Sequence, residues 1–336
     1  MSFKRLDPED FLISADSITA GAWTGNSPTL SKFFTSSVQV AGASGNYYVS
    51  VYQTGSTLDE AEVQFNIAFG NENGLGSVLY DSGISGKSPS STVYGQFQNI
   101  VLGDENNSFV FGTTTPVTQS FYAITINRSK YKGNIFPGTL ELRLNSASST
   151  RYLTDNSNDT SVVTFNEAGR VYQIVSGTAG RATGTGSTNS GSYGLFLPDI
   201  GTILLNASAL DLSFANGGIG LATSYASNTA GNNPGRLYTA LSGAGYFNLN
   251  SQENVTSDYI FIRARNSEFN YSENPSFISG STGEVLYDDF INAPQTFITT
   301  VGLYNDANEL LAVAKLSKPL KKDFTKEALI RVKLDF

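Results

Sequence analysis

The sequence predicts a mainly β fold, on three observations. Apolar and polar residues alternate with a period of two along several runs, and a sheet sends successive side chains to opposite faces. Short polar turn sequences separate those runs. Helical periodicity is scarce, its best stretches being 57–63 and 323–328, both short. Strands spaced in this way point to two antiparallel β-sandwich or barrel-like domains, with an N-terminal arm and long Gly/Ser/Thr loops.

Residues 1–30 read as an extended, irregular arm that ends at Thr24-Gly-Asn-Ser-Pro28. Residues 31–150 read as a first β domain. Within it Val63, Phe65, Ile67 and Phe69 alternate with polar or small neighbours, as do Tyr122, Ile124 and Ile126, and then Leu140, Leu142 and Leu144. Its expected core adds Tyr48, Val49, Val51, Phe97, Ile100 and Val110. Turn chemistry falls at Asn71-Glu-Asn-Gly74, Gly103-Asp-Glu-Asn106 and Phe136-Pro-Gly138.

Residues 151–336 read as a second β domain. Strand-like runs at 170–175 and 195–205 flank residues 176–194, of which 14 of 19 are Gly, Ser or Thr. Such a segment supplies little to a core and is expected to project as a loop. Asn232-Asn-Pro-Gly235 reads as a further turn. Near the end, the runs 297–304 and 309–316 are joined by Asn305-Asp-Ala-Asn308, which is the pattern of a β-hairpin. Ile330, Val332, Leu334 and Phe336 alternate with Arg331, Lys333 and Asp335. This last strand can pair with the hairpin after a loop at 317–326.

Composition narrows the chemistry. The 336 residues include no Cys and no His. A disulfide, a zinc-thiolate site, a Cys nucleophile, Ser-His-Asp hydrolysis and His-based proton transfer are therefore excluded. Lys plus Arg number 21 and Asp plus Glu 29, giving a net charge of −8. An acidic chain is a poor ligand for duplex nucleic acid, whose phosphates are met chiefly by Lys and Arg. The first ten residues carry basic side chains with no apolar run behind them, which does not read as a secretory signal. No stretch approaches 18 uninterrupted apolar residues, so no membrane insertion by a helix is expected.

Motifs with chemical content are few. Gly184-Thr-Gly186 lacks the Gly-Lys-Ser/Thr and the strand–turn–helix setting of a phosphate loop. Asp155-Asn-Ser-Asn-Asp159 puts oxygens at positions 1, 3 and 5 of a calcium-type loop, but Thr160 and Asn166 stand where Gly and Glu belong. It reads as a polar turn. Glu284, Asp288 and Asp289 could act as glycosidase carboxylates, and Trp23, Tyr238, Tyr246 and Phe247 could stack on sugars, although scattered aromatics more commonly pack a core. No cofactor and no metal are expected.

Charge asymmetry suggests where contacts lie. Residues 315–336 carry seven basic and three acidic residues, against the acidic remainder. Lys315, Lys318, Lys321, Lys322, Lys326, Arg331 and Lys333 either guard a sheet edge or dock on an acidic face. Arg263 and Arg265 share a strand face with Phe261, either as a solvated face or as a subunit contact. The arm adds Lys4, Arg5 and Trp23. The arm, the 176–194 loop and the basic end are the expected assembly elements.

Several segments resemble virion structural proteins of marine contractile-tailed phages, cyanophages above all. They are Phe3 to Phe11 continuing to Ala22-Trp-Thr24, Ser192-Tyr-Gly-Leu-Phe-Leu-Pro-Asp-Ile-Gly201, Phe269-Asn-Tyr-Ser-Glu-Asn-Pro-Ser-Phe277, and 299–336 around Val301-Gly-Leu-Tyr-Asn305 and Leu311-Ala-Val-Ala-Lys-Leu316. The resemblance implies a non-enzymatic subunit of the tail, neck or baseplate, made in the host cytoplasm and carried in the virion. It implies other virion proteins as partners, and a homo-oligomer or ring component. The alternative is a receptor-binding or adhesive tail-fibre protein that recognises a host surface glycan.

Overall fold

The computed structural model describes residues 4–36, 47–78, 87–104, 106–112, 119–146, 149–226, 232–272 and 274–335. The chain is mainly β. It forms two compact units, one from Ile18–Glu253 and one from Met1–Ser17 together with Asn254–Phe336. In chain order the strands are β1 (Phe11–Gly21), β2 (Thr29–Leu30), β3 (Tyr48–Tyr52), β4 (Val63–Asn71), β5 (Ser120–Ile126), β6 (Asn134–Ile135), β7 (Glu141–Ser146), β8 (Ser149–Asp155) and β9 (Thr164–Asn166). They continue as β10 (Gly169–Thr178), β11 (Arg181–Ala182), β12 (Gly194–Leu197), β13 (Thr202–Asn206), β14 (Phe247–Asn248), β15 (Asn250–Ala264), β16 (Gln295–Tyr304), β17 (Leu310–Asp323) and β18 (Ala328–Asp335). The α-helices are α1 (Pro89–Phe97), α2 (Ala207–Asp211), α3 (Asn232–Ala244) and α4 (Asp289–Asn292).

The large unit holds a curled antiparallel sheet in the order β2-β14-β7-β8-β10-β12-β13-β5-β4-β3, with β9 and β11 added beside β10. The curl brings the two ends together. Beyond β2 the chain reaches Phe34, which exchanges both backbone hydrogen bonds with Tyr52 at the end of β3. Across the interior the Phe65 ring of β4 meets Phe247 of β14 at 5.4 Å. The alternation seen in sequence sets this face. Phe65, Ile67 and Phe69, Tyr122, Ile124 and Ile126, and Leu142 and Leu144 all turn inward and are buried. Helix α3 adds Leu237, Ala240 and Leu241 to the same core.

Strands β5, β12 and β13 show no alternation of burial, because both of their faces are covered. Ile203 and Leu205 face the inner core, while Leu204 and Leu195 join Phe121, Tyr94 and Phe97 in a second core. Helix α1 roofs that second core. Ser88 caps its first turn by accepting from the Ser91 N–H, and Pro89 occupies the first helical position, where its missing N–H costs nothing. Strands buried on both faces read as continuous apolar runs, which fits Leu195, Phe196 and Leu197.

The small unit has a thinner core. Strand β15 lies between β1 and β18, and pairs with β18 in a register that sets Ile260 opposite Val332 and Ile262 opposite Ile330. Strands β16 and β17 form a separate hairpin. Its inner residues Val301, Leu303, Ala314 and Leu316 pack on the cluster of Ile260, Ile330 and Val332.

Several expectations are corrected here. The partition does not fall at residue 150, because β7 and β8 on either side of it form one hairpin within the large unit. Residues 4–30 are not irregular throughout: 11–21 is strand β1, and Ala22, Trp23 and Leu30 are core residues of the large unit. The last strand pairs with β15 rather than with the hairpin, and 317–326 is largely the continuation of β17. Asn232 to Gly235 is the first turn of α3, which tolerates Pro where a helix interior does not. Neither 57–63 nor 323–328 is helical. Tyr48, Ile100 and Val110 are exposed rather than core.

Candidate assembly surfaces

The expected contact residues divide sharply by burial. Trp23 is only 2% exposed. Its indole N–H donates to the Phe247 carbonyl at 2.9 Å, and its ring packs on Phe65 and Phe247. It is a core residue and offers no surface to a partner. Lys322 is 0% exposed. Its ammonium donates to the Asn266 carbonyl at 3.1 Å, to Asn270 Oδ1 at 2.8 Å and to its neighbour's carbonyl at 3.1 Å. Neither Trp23 nor Lys322 is a contact residue, since side chains enclosed in this way cannot reach a second molecule.

Lys322 instead fastens the root of the long loop 265–294 between β15 and β16. Thr296 helps, donating its hydroxyl to the Phe269 carbonyl at 2.5 Å. Lys4 reaches Glu268 at 3.1 Å. The Arg265 N–H and the Lys4 ammonium hold the Glu268 carboxyl below its ordinary pKa. Arg265 therefore sits in a turn beyond β15 and not on the strand face that its spacing from Arg263 suggested. Lys322→Met keeps the side-chain length but removes the donors. It is expected to cost about 1–3 kcal/mol. A lower unfolding midpoint, with lost amide-exchange protection at 266–270, checks it.

The remaining basic residues are at the surface. Arg5, Arg263, Lys315, Lys318, Lys326 and Arg331 are exposed. Arg263 lies 3.9 Å from Glu327, Lys321 lies 3.8 Å from Asp323, and Lys333 lies 2.8 Å from Asp335. The Asp335 carboxylate raises the Lys333 pKa above its ordinary value. The Arg331 guanidinium lies 5.4 Å from the centre of the Tyr259 ring.

The other motifs resolve into structure. Residues 176–194 do not project freely. The Ser176 N–H donates to the Gly186 carbonyl, and Asn206 donates to the carbonyls of Ser190 and Ser192. Gly184-Thr-Gly186 lies between β11 and β12, with no helix after it. Asp155 accepts from the backbone N–H groups of Gly138 and Ser157, and burial raises its pKa. Asp159 accepts from the Ala182 N–H and lies 3.7 Å from Arg181. Asp155 Oδ2, Asn156 Oδ1 and Asp159 Oδ2 are thus turned onto the chain itself, as in a polar turn, while Asp155 Oδ1 and the Ser157 hydroxyl are buried without a hydrogen-bond partner among the described residues. Tyr246 lies under the Arg143 guanidinium at 3.6 Å, and the Tyr238 hydroxyl donates to the Phe33 carbonyl at 3.0 Å. Those rings are engaged in packing. Among the described residues no helix is long and apolar enough to cross a membrane.

The sequence reading missed one surface. From 266 to 314 there is no Lys or Arg, while Glu268, Glu273, Glu284, Asp288, Asp289, Asp306 and Glu309 fall within it. In the 265–294 loop Tyr271, Leu286, Tyr287 and Ile291 are exposed, with Ile291 at 66%. A local cluster helps order its tip, where Phe277 packs on Tyr287 at 6.3 Å and on Phe290 at 5.5 Å, beside the Ile278–Val285 bridge and the Leu286 N–H bond to the Phe277 carbonyl. The charge blank was the signal that could have found it.

No protein-family model matches the chain, and neither a curated protein nor a solved structure matches it.

Proposed function

We propose that this chain is a non-enzymatic structural subunit of a tailed phage particle, in its tail, neck or baseplate region, working through contacts with other virion proteins and with copies of itself. One observation carries the reading: the apolar surface left open on the small unit. Leu311 is 68% exposed, and Phe297, Val313, Leu320 and Leu329 are exposed with it. Leu311 and Val313 lie together on β17, and an exposed apolar patch is a mark of interfaces. Strand β1 adds Phe11, Leu12 and Ile13, all exposed, at the edge of its sheet. An open strand edge with apolar side chains is a template for another chain. The sequence resemblance to phage virion proteins points the same way.

Quantitative mass spectrometry of purified particles tests the reading. The chain is expected at a fixed ratio to the other particle proteins through every purification step. Recovery as a free monomer from infected cells, with none in purified particles, would overturn it.

A further inference from the structure

We propose that the 265–294 loop of one copy docks on the outer face of the β16–β17 hairpin of a second copy. The inference rests on the assembly reading and specifies its self-contact. The two surfaces are complementary in kind. The loop offers Leu286, Tyr287 and Ile291 beside Glu284, Asp288 and Asp289, all exposed. The hairpin face offers Phe297, Leu311 and Val313 beside Lys315 and Lys321. Register places these together: Phe297 is opposite Lys321, Thr300 opposite Lys315, and Gly302 opposite Val313.

Charge decides between the possible pairings. Two loops face to face would oppose carboxylates, and two hairpin faces would oppose Lys315 and Lys321, with Asp306 and Glu309 set apart in the hairpin turn; like charges brought together disfavour a pairing. Loop against hairpin alone satisfies both surfaces. That contact is heterologous, because each copy gives its loop to one neighbour and its hairpin to another. Repeated, it closes a ring or runs on as a helical stack. The loop root is held by Lys322 and Thr296, so the acidic tip is presented from a fixed base rather than from a free tether.

The test uses the full chain and two charge-reversed variants, Asp288→Lys with Asp289→Lys and Lys315→Glu with Lys321→Glu, in sedimentation velocity. The wild-type chain is expected to self-associate, and to weaken at least about tenfold between about 50 mM and about 500 mM salt. Each variant alone is expected to associate at least about tenfold more weakly than wild type. Mixing the two restores opposite charges at both contacts, and association should return to within about threefold of wild type. Mixing uses only exposed substitutions and two separately folded chains, so near-ultraviolet circular dichroism of each suffices as a folding control. A wild-type chain that stays monomeric throughout, variants that associate as wild type does, or a mixture that fails to recover would each overturn the proposal. Cross-linking of the loop to a different protein in particles that hold the chain would overturn it while leaving the assembly reading standing. Self-association of a chain absent from particles would do the reverse.

Discussion

Phe65→Ala is expected to destabilise the large unit by about 3–5 kcal/mol, the range for removing a buried aromatic ring. Phe65 is fully enclosed. Its ring lies 5.9 Å from Trp23, 6.3 Å from Phe33 and 5.4 Å from Phe247. These partners all lie at the β2–β14 end of the strand order while Phe65 lies on β4 near the other end, so the ring helps hold the sheet in its curl as well as filling the core. Trp23 is the only Trp in the chain and touches the substituted position. Its fluorescence therefore reports unfolding of this unit separately from the other. Tyr48→Ala, on the adjacent strand but 51% exposed, is the control and is expected to cost under about 1 kcal/mol. Equal costs at the two positions would contradict the curled packing.

Gly194→Ala is expected to be more damaging still, at about 4 kcal/mol or more, with the midpoint falling by at least about 8 °C. Gly194 has φ +150, and a Cβ there would lie 1.8 Å from the Leu204 carbonyl oxygen. That oxygen belongs to β13, which pairs with β12 through Gly194 and Leu205. Gly194 also pairs with Ile174 of β10. No side-chain rotation relieves an overlap made by Cβ with backbone, so the central strands must move apart. Gly184→Ala separates this overlap from the cost of backbone conformation alone. Gly184 has φ +66 with nothing within 4 Å, and the substitution is expected to cost about 1–2 kcal/mol. Thermal unfolding of both variants gives the comparison.

What sequence could and could not reveal follows from where each signal resides. Strands with one covered face were legible, because alternation in Phe65, Ile67 and Phe69 or in Ile330, Val332 and Leu334 is a local record of burial. The hairpin was legible for the same reason, with Asn308 at φ +61 supplying the turn that its sequence promised. Strand partners were not legible. The pairing of β18 with β15 joins residues more than sixty positions apart, and both strands offer the same alternation to any neighbour. Helix α3 was hidden because Asn, Pro and Gly at its start are turn formers, and only its core contacts through Leu237 and Leu241 make the helix worth forming. The contact residues failed in a related way. Charge and aromaticity singled out Lys322 and Trp23, but burial of a side chain depends on residues such as Asn270 and Phe247 that lie far away in sequence. The acidic loop was the opposite case. Its lack of any basic residue beyond Arg265 was visible in the sequence, and it took its exposed Tyr287 and Ile291 to give that pattern a surface.

Amide hydrogen exchange of the chain, free in solution and again within purified particles, tests most directly whether the open surface of the small unit is a buried contact. Peptides covering 265–294 and β17 are expected to slow strongly in the particle, while core peptides of the large unit such as β5 and β13 stay unchanged. Equal exchange of the loop and hairpin peptides in the two states would contradict it.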